Sequence, residues 1–295
     1  MTRPVVAVGV VSYGTQPPNW WQHLAMMIAK LPEYGIEIGG LLSASSMSAD
    51  MNRNEVAKSF LRGKADYLLW VDTDNIIPFG GVKRLLETGK ELVSGLYHLK
   101  VPPYTPVAYW RQKDGNGYEP IHHFRQGEIV PVDMAGLGAC LVHRNVFEEI
   151  QNQHTLLIRS NGTVLPMHHD DISGKVGGRQ VEKPKVHNSQ YLETMRLADP
   201  SKERTWPFHY LEYGRTEDVV FFEMAQRCGI QAYVDTSVDC PHIGPHEVTS
   251  KDSRDYLRVK KVEFKREQDW LEILKQEGLT DEQTQQTEDG SASEG

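Results

Sequence analysis

The sequence predicts an α/β protein with a mixed, mainly parallel sheet flanked by helices, a long inserted loop region and a C-terminal helix. Two observations carry this. Through residues 5–100, short continuous apolar runs alternate with amphipathic helical patterns, as expected when strands are buried on both faces and helices cover them. Residues 67–78, YLLWVDTDNIIP, then break from such a run into Asp72, Thr73, Asp74 and Asn75. In an open α/β sheet the carboxyl ends of the strands face the ligand crevice, so two carboxylates emerge where chemistry is done.

Taken in order, the apolar run at 5–11 is a first strand ending in Ser12, Tyr13 and Gly14. Trp20, Leu24, Met27 and Leu31 recur at helical spacing, so 19–31 is an amphipathic helix with a core-facing stripe. Residues 36–42 form a second strand. After a small-residue loop at 43–49, Val56, Ala57, Phe60 and Leu61 mark a helix expected to begin near Arg53 and Asn54, where free amide donors favour an anion or a polar ligand group. It leads into the acidic strand. Val82, Leu85 and Leu86 outline another helix, and 91–97 a strand that exits through Tyr97, His98 and Lys100 ahead of Pro102-Pro103.

The second half changes character. Residues 106–110 and 129–142 read as extended, with antiparallel strands among them, and Gly136 and Gly138 mark places where another group approaches closely. A helix starts at 145–150. Residues 151–210 are a long polar stretch of weak periodicity, expected to be loop. It holds His168-His169-Asp170-Asp171, read as a solvated loop, and the basic residues Lys175, Arg179, Lys183 and Lys185. Thr216 is an expected N-cap for a helix with Phe221, Ala225 and Cys228 on its stripe and Gly229 at its close. Glu217 and Asp218, in its first turn, are explained structurally by the helix dipole, which would also lower the pKa of Asp218. A strand at 232–235 follows, with His242 just beyond it, and 252–276 is a charged amphipathic helix.

Composition narrows the class. A hydrophobic content of 39% and a charged content of 24% are those of an ordinary globular chain. No apolar run approaches the roughly 18 residues of a membrane helix, and the N-terminus reads as a strand, so the chain is expected to be cytoplasmic with no membrane span. Three cysteines, Cys140, Cys228 and Cys240, without a Cys-x-x-Cys pair, fit a reducing compartment and no zinc knuckle. The net charge is −8, but Glu277, Asp281, Glu282, Glu288, Asp289 and Glu294 lie in 276–295, a stretch with no Lys or Arg. The body is therefore nearly neutral, without an overall basic footprint of a nucleic-acid binder, which leaves room only for a local basic patch. The tail has too few apolar residues to order itself and is expected to be disordered.

Oxygen ligands at an Asp-x-Asp turn suit Mg²⁺ or Mn²⁺ better than zinc. By itself such a pair is also an ordinary turn start. Four segments in register go further: VDTDN at 71–75, VDMAGLGACLVHRNVF at 132–147, TEDVVFFEMAQRCGIQAYVD at 216–235 and CPHIG at 240–244. Together they resemble nucleotide-sugar glycosyltransferases of the GT-A (Rossmann-like) fold, in particular the short family-2-like enzymes of bacteria and phages. The resemblance spans about 4–246 and leaves 151–210 unmatched. It implies a catalytic domain over 1–250 with an acceptor-side insertion at 151–210, then a helix at 251–275 and the acidic tail.

The resemblance also implies roles. Asp74 would hold Mn²⁺ or Mg²⁺, Asp72 would reach the ribose or share the metal, and His242 would complete the coordination. Ser12, Tyr13, Arg53 and Asn54 would line the pocket of a nucleotide, expected to be UDP, and Lys100 would meet the diphosphate or sugar. Glu217 and Asp218 match the position of an inverting enzyme's general base, normally the Asp; in a retaining enzyme they would bind hydroxyls instead. The acceptor is open: a saccharide, a protein side chain, or a hydroxymethylated base in phage DNA. A nucleotidyltransferase would need a Gly-rich basic loop near the N-terminus, and 11–20 holds one Gly and no Lys or Arg. A non-catalytic nucleotide-sugar-binding module is the remaining alternative.

Overall fold

The computed structural model describes residues 3–12, 16–45, 48–114, 117–158, 163–169, 196–197, 206–211, 215–244 and 247–260. The strands are β1 (Val5–Ser12), β2 (Glu37–Ser45), β3 (Tyr67–Asp72), β4 (Leu92–Leu96), β5 (Ala108–Arg111), β6 (Tyr118–Pro120), β7 (Ile129–Val132), β8 (Met134–Ala135), β9 (Ala139–His143), β10 (His154–Ile158), β11 (Val164–His168), β12 (Arg196–Leu197), β13 (Ala232–Asp239), β14 (His242–Ile243) and β15 (Glu247–Val248). The helices are α1 (Pro18–Lys30), α2 (Ala49–Arg62), α3 (Gly81–Glu87), α4 (Arg144–Gln153), α5 (Glu217–Arg227) and α6 (Ser250–Lys260). Contacts divide the chain into residues 1–253 and 254–295; of the second unit, only the end of α6 is described.

Seven strands form the central sheet in the order β2-β1-β3-β9-β4-β13-β7. β2, β1, β3, β4 and β13 run the same way, and β9 and β7 run against them. This is the mixed, mainly parallel, helix-flanked sheet expected, and it is compatible with a Rossmann-like arrangement. On one face, Trp20, Leu24 and Met27 of α1 and Val82 and Leu85 of α3 pack onto Val6, Val8, Val10, Leu69 and Val71. On the other, α2, α4 and α5 bring Phe60, Phe147 and Phe221 onto Ala7, Val11, Leu68 and Trp70. Alternate residues of one strand thus feed opposite layers, which is why the apolar runs are continuous. Burying each large side chain stabilises by roughly 1.5–3 kcal/mol.

β9 is what brings the site together. Because it runs antiparallel between β3 and β4, it begins at the edge where those strands end. Residues 136–138, which enter it, therefore lie beside the acidic turn, and the Asp72 amide donates to the Gly138 carbonyl at 3.0 Å.

Three expectations change. Residues 43–45 continue β2, and Ser48, in extended conformation, precedes a helix that starts at Ala49, so Arg53 lies more than a turn inside α2. The stretch 151–210 opens with ordered structure, an antiparallel β10–β11 hairpin joined by β12, because HTLLI and VLPMH bury Leu156, Leu157 and Leu165. His168 is consequently buried, its ring 5.1 Å from that of His154. Thr216 holds the N-cap position of α5, but its side chain makes no capping bond. Asp170, Asp171, the basic residues from Lys175 to Lys185 and the tail lie outside the described residues, and the C-terminal helix is described only to Lys260. No helix among the described residues is long and apolar enough to cross a membrane.

α2 is locked at its C-terminal end by Arg144, whose guanidinium donates to the carbonyls of Phe60, Leu61, Gly63 and Ala65 at 2.9–3.1 Å and covers the Phe60 ring at 4.6 Å. These carbonyls lie in the last turn of the helix and just beyond it, at its negative dipole end, where a cation is favoured. Arg144→Ala is expected to lower stability by about 2–3 kcal/mol, seen as an earlier midpoint of chemical denaturation with an unchanged slope.

Candidate active site

The acidic turn is pinned from both sides. Asp72 ends β3, and the Asn75 amide closes the turn onto its carbonyl at 3.1 Å. The Asn75 carbonyl accepts from Trp20 Nε1 at 3.0 Å. Across the turn, Ile243 N donates to Asp74 O at 2.6 Å and Ile76 N to Pro241 O at 2.9 Å, so the Cys240-Pro241-His242 segment is laced to it by its backbone. This brings His242 beside Asp74, with Nε2 3.5 Å from Oδ1, while Lys100 Nζ sits 2.5 Å from Oδ2. Burial works against the Asp74 charge, but the bonds to His242 and Lys100 outweigh it and hold the carboxyl down at about 2.

Asp74 and His242 fit a divalent cation. His242 Nδ1 donates to the His98 carbonyl at 2.7 Å, which fixes the ring and turns Nε2 toward Asp74, the orienting bond that metal-ligating histidines use. No group of three or more such ligands converges among the described residues. Mg²⁺-type ions that bind with their substrate use one or two protein carboxylates, with phosphate oxygens and waters in the remaining positions; here Asp74 supplies one carboxylate and His242 adds an imidazole. The imidazole favours Mn²⁺ over Mg²⁺. Lys100 sits on the same carboxylate and would have to yield.

A second cluster forms where α2, β3 and α5 meet. Arg53 is 4% exposed. Its Nη2 lies 3.1 and 3.4 Å from the Asp72 oxygens, and its Nε is 3.6 Å from Glu217 and 3.5 Å from Asp218. Trp70 supplies an aromatic wall, 5.4 Å from the guanidinium carbon. Burial would weaken the Arg53 charge, but Asp72, Asp218 and Glu217 together raise its pKa above the ordinary arginine value. Asp218 Oδ2 accepts from the Leu137 amide at 3.2 Å, while Oδ1 is buried without a hydrogen bond among the described residues. The Asp218 side chain keeps a fifth of its surface exposed. Burial first, then the charges of Glu217 and Asp72, push its carboxyl up to about 7 against the opposing pull of Arg53. The helix dipole alone would have lowered it; here burial and like charge win.

The two clusters share Tyr97. Its hydroxyl accepts from the Gly138 amide at 3.2 Å and its ring lies edge-on to His242 at 5.5 Å. Burial raises its pKa, and Asp218 and Asp72 raise it further, so it remains a phenol. A Cβ on Gly136 would fall 1.6 Å from that hydroxyl, and one on Gly138 would fall 2.2 Å from Asn75 Nδ2 and 3.0 Å from Asp72 Oδ2. Both glycines are thus required by close approach, as the sequence indicates.

Of the other residues singled out, Ser12 ends β1 and accepts from the Gln16 side chain, and Tyr13 lies outside the described residues. Asn54 clamps a distant segment: its side-chain amide bonds both the N–H and the C=O of His209, at 2.9 and 2.6 Å. Asp72 is engaged by Arg53. Sequence reading missed the place of Arg53 in the core, although residues 53, 56, 57 and 60 share one helical face, and Arg53 extends the apolar stripe by one turn. Nothing in the sequence singles out Tyr97 as the side chain that Gly136 makes room for.

No protein-family profile matches this chain, and no curated protein matches it. Among solved structures, A197 from STIV is similar with a TM-score of 0.45 and 16% identity, over 84% of this chain and 91% of that one. A glycosyltransferase involved in the glycosylation of the major capsid of PBCV-1 is similar with a TM-score of 0.25 and 13% identity, over 49% of this chain and 62% of that one. Likenesses this slight do not decide what the site does.

The charge balance of the site carries a stability consequence. An Asp whose folded pKa lies above its unfolded value favours the fold fully below about pH 4, and that contribution is lost as pH rises through about 7. Asp218→Asn should therefore stabilise the protein by on the order of 2 kcal/mol at pH 8, with the gain vanishing below pH 4. Thermal denaturation of both proteins across that range checks it; a pH-independent difference would refute the assignment.

Proposed function

We propose that this chain is a glycosyltransferase that moves a sugar from a nucleoside-diphosphate sugar, with UDP the expected nucleotide, to an acceptor hydroxyl. The observation that carries the reading is the meeting, at the carboxyl edge of one sheet, of a cation-fitting pair (Asp74, His242) with a partly buried carboxylate whose pKa is near neutral (Asp218). These groups come from three segments far apart in sequence.

In this reading Asp74 and His242 hold the divalent ion with the diphosphate. A bound Mn²⁺ or Mg²⁺ supplies Lewis-acid stabilisation of the charge that builds on the departing phosphate. Lys100 leaves Asp74 and places its ammonium against the same charge. Asp218 takes the proton of the acceptor hydroxyl as that oxygen attacks the anomeric carbon, and a base with a pKa near 7 is well matched to that task at neutral pH. Direct displacement by a base-activated hydroxyl gives inversion. Glu217 and Asp72 keep the surroundings of Asp218 acidic, and Tyr97 packs between the two halves of the site.

A panel of nucleotide sugars tested with Mn²⁺, with Mg²⁺ and with EDTA should give metal-dependent release of one nucleotide. Asp74→Ala should lose donor binding and turnover together, turnover by at least about 100-fold. Absence of binding and turnover for every donor with either metal would overturn the reading.

A further inference from the structure

The strongest feature not yet given a role is the buried guanidinium of Arg53. We propose that Arg53 is a positioning residue that couples the donor-side carboxylate Asp72 to the acceptor-side carboxylate Asp218, so that a charge change at one is felt at the other. The proposal deepens the glycosyl-transfer reading and rests on it for the role of Asp218.

The geometry supports a coupler over a plain structural ion pair. Arg53 is carried on the inner face of α2, whose Val56, Ala57 and Phe60 are buried, so its backbone is fixed. The guanidinium is shared by carboxylates from two elements: Asp72 at the end of β3, and Glu217 and Asp218 at the start of α5. One positive charge among three negative ones leaves the cluster short of cation. Any cation that approaches Asp72 frees part of the Arg53 field for Asp218, and removing Arg53 exposes each carboxylate to the others. Nor is the arrangement built for stability alone. Nε meets Glu217 and Asp218 only at ion-pair distance, Nη1 is buried without a hydrogen bond among the described residues, and a buried donor left unmade costs free energy. Lysine would substitute only in part, because a single ammonium keeps the charge but cannot reach groups that the planar fork meets on two sides.

The groups that face Asp218 come from every element around it: Arg53 of α2, Asp72 of β3, Tyr97 after β4, the Leu137 amide before β9, Cys140 of β9 and Glu217 of α5. The Cys140 thiol is held well above its ordinary pKa by burial, and Tyr97 is likewise raised. Of the side chains in this set, Arg53 is the positive one.

The test reads the coupling without turnover. Carboxyl ¹³C NMR of the full chain, with the Asp218 resonance assigned by its loss in Asp218→Asn, gives the titration midpoint of Asp218 directly. Arg53→Gln should raise that midpoint by about one pH unit or more, Arg53→Lys should restore part of it, and Asp72→Asn, with Arg53 intact, should lower it. An Asp218 midpoint unmoved in folded Arg53→Gln overturns the proposal. If Arg53→Gln does not fold, an unmoved midpoint in Asp72→Asn overturns it alone. A chain that shows the coupled shifts yet turns over no nucleotide sugar would instead refute the glycosyl-transfer reading and leave the coupling standing.

Discussion

An excess of negative charge, partly withdrawn from water at the carboxyl edge of the sheet, is the constraint on which the rest of this structure depends. Asp72, Asp74, Glu217 and Asp218 meet there against two cations, Arg53 and Lys100. Carboxylates taken out of water are tolerated only when charge or hydrogen bonds compensate them. The compensation dictates architecture: α2 must deliver a guanidinium to the end of β3, and α5 must start within reach of it. The loop after β4 must return an ammonium and a histidine carbonyl. What remains uncompensated is a negative balance, and a fold optimised for stability alone would not keep it.

Backbone proximity is how the chain meets that constraint. The antiparallel β9 enters the sheet between β3 and β4 through residues 136–138, and it approaches so closely that neither glycine leaves room for a Cβ. The approach gives the Leu137 amide to Asp218 and the Gly138 amide to Tyr97, while the Gly138 carbonyl receives the Asp72 amide. Two consecutive residues therefore tie both clusters to the sheet. On the far side of the acidic turn, the segment from Pro241 to Ile243 does the same through main-chain bonds, which side-chain chemistry in the sequence does not reveal.

How much of this could be read from sequence follows from which interactions are local. Strand and helix periodicity, the exit of Asp72 and Asp74 from a buried run, and the glycines of the 136–138 turn are short-range signals, and the structure places them as such. The start of α2 is not legible locally, because Ser43, Ala44 and Ser45 resemble loop in composition but continue an edge strand, where one face is wet. That displaces the expected place of Arg53 from the core to a helix end. The β10–β11 hairpin was hidden because a few apolar residues lie inside a polar stretch, and their burial depends on pairing across the turn. The convergence of Arg53 with residues 217 and 218, over 160 positions away, has no local signature at all.

Asp218 shows why residue type and position are not enough to assign chemistry. A carboxylate in the first turn of a helix gains at most about 2 kcal/mol from the dipole, which would shift its pKa down by little more than one unit. Removal from water works in the opposite direction by up to about 3–5 units, and here two further carboxylates share the same guanidinium. Position on the helix predicts a permanently ionised, weak base. The environment assembled by β3, β9 and α2 makes the same group one that holds or releases a proton near neutrality. Tertiary structure, by setting the sign of that difference, converts a dipole-stabilising residue into a candidate base.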